Sequence, residues 1–245
     1  MRTVLVVLGD GSEPALAAAR ALVGRGARTV VLAGRRPRSL DGAAAELRHL
    51  GVTTVETVAF DPDDLETHPA FVADVCKRYG DIDLALIGLE PPPDGLDPLG
   101  DGPAGGQTVT ALHTAFLGAA SVALPVARCL TAQGHGTIAV LPPVSYDRAP
   151  SAGRSLQSGA GGARSPRPDF VRRAGRAGLD ALCRGLGDAL NGTGVRVLMI
   201  RARPSRYGPE AIARDVVAAL TDSPRWGPHS VRRALAGLRR LREGS

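Results

Sequence analysis

The chain has 245 residues, a formal net charge of +6 and an aromatic content of only 3%. That length suits one large α/β domain with a buried core, and the scarcity of rings leaves Val, Leu, Ile and Ala to fill it. The basicity is arginine's, with Lys77 the single lysine; dispersed arginines, few stacking rings and no recognition motif argue against a nucleic-acid partner.

Short β-branched runs alternate with longer helical patterns, the signature of βαβ units and a parallel sheet. The pattern predicts a strand over 3–8, a turn at Gly9 and a helix over 14–25. The opening apolar run is too short for a signal peptide. A second strand at 28–33 precedes a helix at 39–50, and a third at 53–60 precedes a helix at 65–79. The fourth strand, 82–88, is followed by residues 90–106, rich in Pro, Gly and Asp, and then by a long helix over 107–132. No stretch reads as a membrane span. The fifth strand, 136–142, leads into 147–168, rich in Gly, Ser, Pro and Arg, which reads as a flexible loop or a lid at the ligand edge. A helix over 169–191 carries Leu179, Leu182, Cys183, Leu186 and Leu190 on one face, is stopped by Asn191-Gly192 and gives way to a last strand at 194–202. Residues 228–245 read as a basic helix that docks on the domain or rests on an anionic membrane surface, docking being the simpler reading. Cys76, Cys129 and Cys183 each fall in a helical pattern without metal-type spacing, so separate buried thiols, no metal and a reduced, cytoplasmic setting are expected.

The expected fold is a single α/β domain over 1–245, a Rossmann-type three-layer αβα sandwich around a doubly wound parallel sheet, with 1–90 as the dinucleotide-binding half. The run from Val4 through Gly9-Asp10-Gly11-Ser12-Glu13-Pro14-Ala15 resembles the opening of short-chain dehydrogenases/reductases. So do Val30-Val31-Leu32-Ala33-Gly34-Arg35-Arg36, Arg176-Ala177-Gly178-Leu179-Asp180-Ala181-Leu182 and the run from Gly194 to Arg201, so the likeness spans nearly the whole chain. Within that family, Phe60-Asp61 with Thr67-His68-Pro69, Gly134-His135-Gly136-Thr137, Phe170-Val171 and Trp226-Gly227-Pro228 are similar to actinobacterial reductases of decaprenylphosphoryl 2-keto-erythro-pentose.

The resemblance implies ketone reduction by hydride from a nicotinamide and a proton from a tyrosine. In the family a lysine four residues later lowers that tyrosine's pKa, a serine binds the carbonyl oxygen and an asparagine supports a proton relay. Matching the motifs puts Arg172 at the tyrosine position, Arg176 at the lysine, Pro143 at the serine and Ala115 at the asparagine. None can substitute: proline has no hydroxyl, and a guanidinium does not give up its proton at neutral pH. Tyr146 and Tyr207 follow strands at the ligand edge, but an unassisted phenol keeps a pKa near about 10.

The phosphate loop is similarly altered. Gly9 fills its first position, with Gly11 and Ser12 behind it, while Glu13 and Ala15 occupy the places of the second and third glycines. Asp10 adds a carboxylate, Glu90 replaces the glycine after the fourth strand, and Ala202-Arg203 replaces a Pro-Gly. Arg35 and Arg36 stand where the resemblance implies a grip on the 2′-phosphate of NADP, and Asp61 matches the acid that contacts adenine. Arg172 and Arg176 lie one helical turn apart and, with Tyr146 and Tyr207, form a possible anion site.

Three readings stay open. The first is a non-catalytic relative, a pseudoenzyme serving as a binding module or partner subunit. The second is an NADP-dependent oxidoreductase with rearranged groups acting on a keto group of the lipid-linked keto-pentose class. The third is a non-redox enzyme using the arginine-lined cleft. Family members associate through their two long helices, here 107–132 and 169–191, which implies a homo- or hetero-oligomer.

Overall fold

The computed structural model describes residues 3–9, 11–23, 27–89, 109–142 and 170–200, with 214, 217 and 218. The six strands are β1 (Thr3–Leu8), β2 (Ala27–Gly34), β3 (Thr54–Ala59), β4 (Leu84–Ile87), β5 (Gly136–Val140) and β6 (Val195–Met199). They form one parallel sheet in the order β3-β2-β1-β4-β5-β6. The chain winds outward from β1 to β3, crosses back beside β1, and winds the other way to β6. That reversal is the doubly wound topology expected, and it opens a crevice at the carboxyl ends of β1 and β4.

Both faces of the sheet are covered, which is why its central strands are continuous apolar runs. Alternation divides them between two cores. Val7, Val30, Leu32, Leu84 and Leu86 face α1 (Glu13–Val23) and α2 (Asp41–His49). Val6, Leu8, Val31, Ala33, Ala85 and Ile87 face the other layer. There lie α3 (His68–Tyr79), the long helix α4 (Val109–Gln133) and α5 (Phe170–Ala189). Leu8, Leu32, Leu86 and Ile87 are essentially inaccessible to solvent, each stabilising the fold by about 1.5–3 kcal/mol relative to an exposed side chain.

Two expectations need correction. By length and composition α4 could cross a membrane, contrary to the sequence reading; here its Ala115, Ala119, Val122, Val126 and Leu130 are buried against the sheet and its neighbouring helices. It is also not uniform, because His113–Gly118 is a π-helical stretch ahead of the regular part Ala119–Gln133. Such stretches recur at functional sites. Finally, the cysteines are not three separate thiols. Cys76 on α3 and Cys129 on α4 form a disulfide, while Cys183 on α5 is free and buried. The expected segments 90–106, 147–168 and 228–245 lie outside the described residues, as do Asp10, Glu90, Pro143, Tyr146, Ala202, Arg203 and Tyr207.

Candidate functional site

The crevice is bounded on one side by the β1–α1 turn. Gly9 closes β1 with φ +144°, and its N–H donates to the Ala33 carbonyl at 3.0 Å. A Cβ on Gly9 would sit 2.3 Å from the Gly88 carbonyl oxygen, so no larger residue fits there. The turn is tied to β4 because the Gly88 N–H donates to the Leu8 carbonyl at 2.8 Å. Gly88 was not singled out in the sequence; only the paired strands reveal that it faces Gly9. Gly11 and Ser12 follow, half-buried, at the N-terminus of α1. That end of a helix presents free N–H groups and a positive dipole to an anion.

The residues in place of the other two glycines have definite roles. Glu13 is exposed and its carboxylate accepts from Arg20 at 2.8 Å, a partner further along the same helix. Arg20 in turn reaches Glu46 on α2 at 2.8 Å. Burial works against the Arg20 charge, but the hydrogen bonds it donates to both carboxylates prevail and its pKa is raised. Ala15 is buried, and its Cβ would lie 3.4 Å from a Cβ placed on Gly88, consistent with close helix–strand packing. One departure weakens anion binding. Pro14, the second residue of α1, has no N–H to offer.

The ends of β2 and β3 contribute a charged network. Arg35 donates from Nε to Asp61 Oδ1 at 3.2 Å and from Nη2 to Asp63 Oδ2 at 2.7 Å. The arginine expected to hold a 2′-phosphate and the acid expected to contact adenine are therefore joined to each other. Arg36 is exposed and pairs with no carboxylate among the described residues.

Asp63, which sequence reasoning missed, is the hub. Its Oδ1 accepts from Thr114 Oγ1 at 2.6 Å and lies 3.3 Å from His113 Nδ1, both on the π-helical stretch of α4. Burial tends to raise the Asp63 pKa, but the hydrogen bonds from Thr114, Arg35 and His113 together outweigh it and hold the carboxyl below its ordinary value. Gly118 makes this approach possible: a Cβ there would stand 2.5 Å from the Pro62 carbonyl oxygen. His68, part of the motif Thr67-His68-Pro69, is fully buried and stacks on Phe60 at 4.7 Å between centroids. Its Nε2 lies 2.9 Å from the Asp61 carbonyl, which can only accept, so Nε2 is the donor, while Nδ1 is buried without a hydrogen-bond partner among the described residues. This histidine braces the loop beside Asp61. A cavity of about 480 Å³ opens beside β3, lined by Arg35, Phe60, Asp61 and Phe71 among others; Gly9, Gly11 and Ala115 are not among its walls.

The catalytic side of the crevice is different. Ala115 is buried at 2% exposure, and a Cβ on Gly175 of α5 would stand 3.8 Å from its own. Arg172 and Arg176 are on α5, one turn apart, with Arg176 partly buried. The fold thus brings the helix that carries Arg176 against the one that carries Ala115.

No protein-family model matches the chain. It is 41% identical over 201 residues to an uncharacterised oxidoreductase of Streptomyces coelicolor (mprA 5′ region), covering 80% of this chain and 70% of that one. It is 30% identical over 257 residues to an uncharacterised oxidoreductase of Mycobacterium tuberculosis strain H37Rv, covering 97% and 93% of the two chains. In fold it matches a metagenomic short-chain oxidoreductase solved in complex with NADP, with a TM-score of 0.66, 20% identity and 89% and 90% coverage. The chain belongs to one family with these uncharacterised oxidoreductases, and it has the fold of solved short-chain dehydrogenases and oxidoreductases. Its relatives there are oxidoreductases by name.

Proposed function

We propose that the chain is a non-catalytic member of the short-chain dehydrogenase/reductase superfamily that binds a dinucleotide, NADP in preference to NAD, and acts as a binding or partner subunit. One observation carries the reading. At the position where the resemblance expects a relay asparagine, Ala115 is packed into the interior beside Gly175, and the tyrosine, lysine and serine positions hold Arg172, Arg176 and Pro143. The turn at Gly9 and Gly11 supports the binding half of the proposal, as does exposed Arg36. The test is a thermal-shift titration with NADPH and NADH beside a turnover assay on ketones and keto-sugars. The expected result is a midpoint that climbs with NADPH and no oxidation of the nucleotide. Steady turnover would overturn the reading.

A partner surface accompanies it. Val109, Leu117 and Leu124 are 67%, 45% and 46% exposed along α4, at intervals of eight and seven residues. That spacing places them on one side of the helix, and we assign α4 and α5 as the faces through which the chain joins a second copy or an active relative. We propose the cytoplasm as its setting. A second reading, a rearranged oxidoreductase acting on a keto group of the decaprenylphosphoryl keto-pentose class, is favoured by the Asp63–His113 pair. That imidazole stands two residues before Ala115 on the same π-helical stretch, and turnover lost on His113→Gln would establish it.

A further inference from the structure

Cys76 and Cys129 are 53 residues apart in sequence and lie toward the C-terminal ends of α3 and α4. The two helices pack side by side on one face of the sheet through Val72, Val75, Val122 and Val126. Their Cα atoms are 7.0 Å apart, just beyond the usual disulfide range of about 4.4–6.8 Å. Both cysteines are only partly buried, whereas Cys183 is buried at 7% exposure. From this arrangement we infer that Cys76 and Cys129 are a reversible oxidation site, closed by exchange with a low-molecular-weight disulfide, that staples α3 to α4.

The step balances without a metal or nucleotide. The Cys76 thiolate attacks the small disulfide, forming a mixed disulfide and releasing one small thiol. The Cys129 thiolate then attacks the Cys76 sulfur and releases the second. The protein gives up two protons and two electrons, and the small disulfide is reduced to two thiols. Cys183 does not compete: burial, aided by the nearby Asp180 charge, pushes its thiol up to about 11. The helices joined at this end are the two whose opposite ends carry the Asp63 loop and His113 with Thr114. The staple therefore fixes the pair of helices on which the hub is built.

The test uses the full chain, reduced, freed of reductant and titrated with oxidised glutathione, with remaining thiols blocked before mass analysis. Expected are the loss of two hydrogens, a Cys76–Cys129 linked peptide, no retained glutathione, and full reopening of the folded protein by dithiothreitol. The oxidised form should unfold about 5–10 °C above the reduced form. Cys183→Ser should keep every one of these results. Cys76→Ser and Cys129→Ser should instead hold glutathione on the remaining thiol and lose the rise. Glutathione retained on both cysteines of the unmutated chain would overturn the proposal. So would a link through Cys183 or between two copies, no oxidation, or a bond that dithiothreitol opens only after unfolding.

Discussion

The two sides of the crevice have kept different things. On the side of β1, β2 and β3 the groups that shape a nucleotide site are largely backbone: the Gly9 turn, its contact with Gly88 and the start of α1. Substitution there has been absorbed, with Glu13 drawn to Arg20 and Ala15 packed at the helix–strand contact. On the side of α4 and α5 the chemistry that the resemblance implies would depend on particular side chains, and Ala115 and Arg176 stand at the matching positions. Geometry encoded in the backbone tolerates changes of side chain that proton transfer would not. On the proposed reading, the fold stays recognisable although the acid that the resemblance implies is replaced.

The most damaging way to break this contrast is to separate the Asp63 loop from α4. Gly118→Val would drive a side chain into the Pro62 carbonyl, and overpacking of this kind costs about 3 kcal/mol, measured by urea unfolding. Asp63→Asn should cost less, about 2 kcal/mol, since Thr114 and part of the network remain. Its pH dependence has a definite sign. The folded carboxyl titrates below its unfolded value of about 3.9, so its contribution is fully present above that pH and is lost as pH falls through the folded value. The stability gap between the native chain and Asp63→Asn should therefore be constant near neutrality and narrow below about pH 4. A gap unchanged at low pH would show that the charge of Asp63 contributes nothing.

Much of the fold could be read from the sequence because its signals are local. All six strands and the five helical segments begin and end within a few residues of their expected places, since apolar runs and periodic faces report burial directly. The site was only partly legible. Gly9 and Arg35 announced themselves by position in a pattern, but Asp63 is joined to Thr114 across 51 residues, and no local spacing encodes that contact. The same holds for the Cys76–Cys129 pair, two unremarkable helical positions until α3 and α4 are laid together. The pairing of Arg35 with Asp61 was hidden for a further reason. Each residue matched a ligand-binding position by itself, and the resemblance gave no hint that they would satisfy one another.

The binding side can be sharpened as well as broken. Pro14→Ala restores an N–H in the first turn of α1, and a hydrogen bond to a charged phosphate is worth about 1.5–3 kcal/mol. NADPH should bind about tenfold more tightly, measured by calorimetric titration.

The smallest effect distinguishes two adjacent arginines. Arg35 is already held by Asp61 and Asp63, so a 2′-phosphate gains little from it unless those pairs break, and their carboxylates repel the phosphate in any case. Arg36 is exposed and has no such competitor among the described residues. Arg36→Ala should weaken NADPH binding by about threefold, as an exposed charge pair would, and leave NADH unchanged. Arg35→Ala should lower thermal stability while preserving the ratio of the two affinities. If Arg35→Ala alone removed the preference for NADPH, its ion pairs would have to open on binding, and the network seen here would be the latch of the phosphate site.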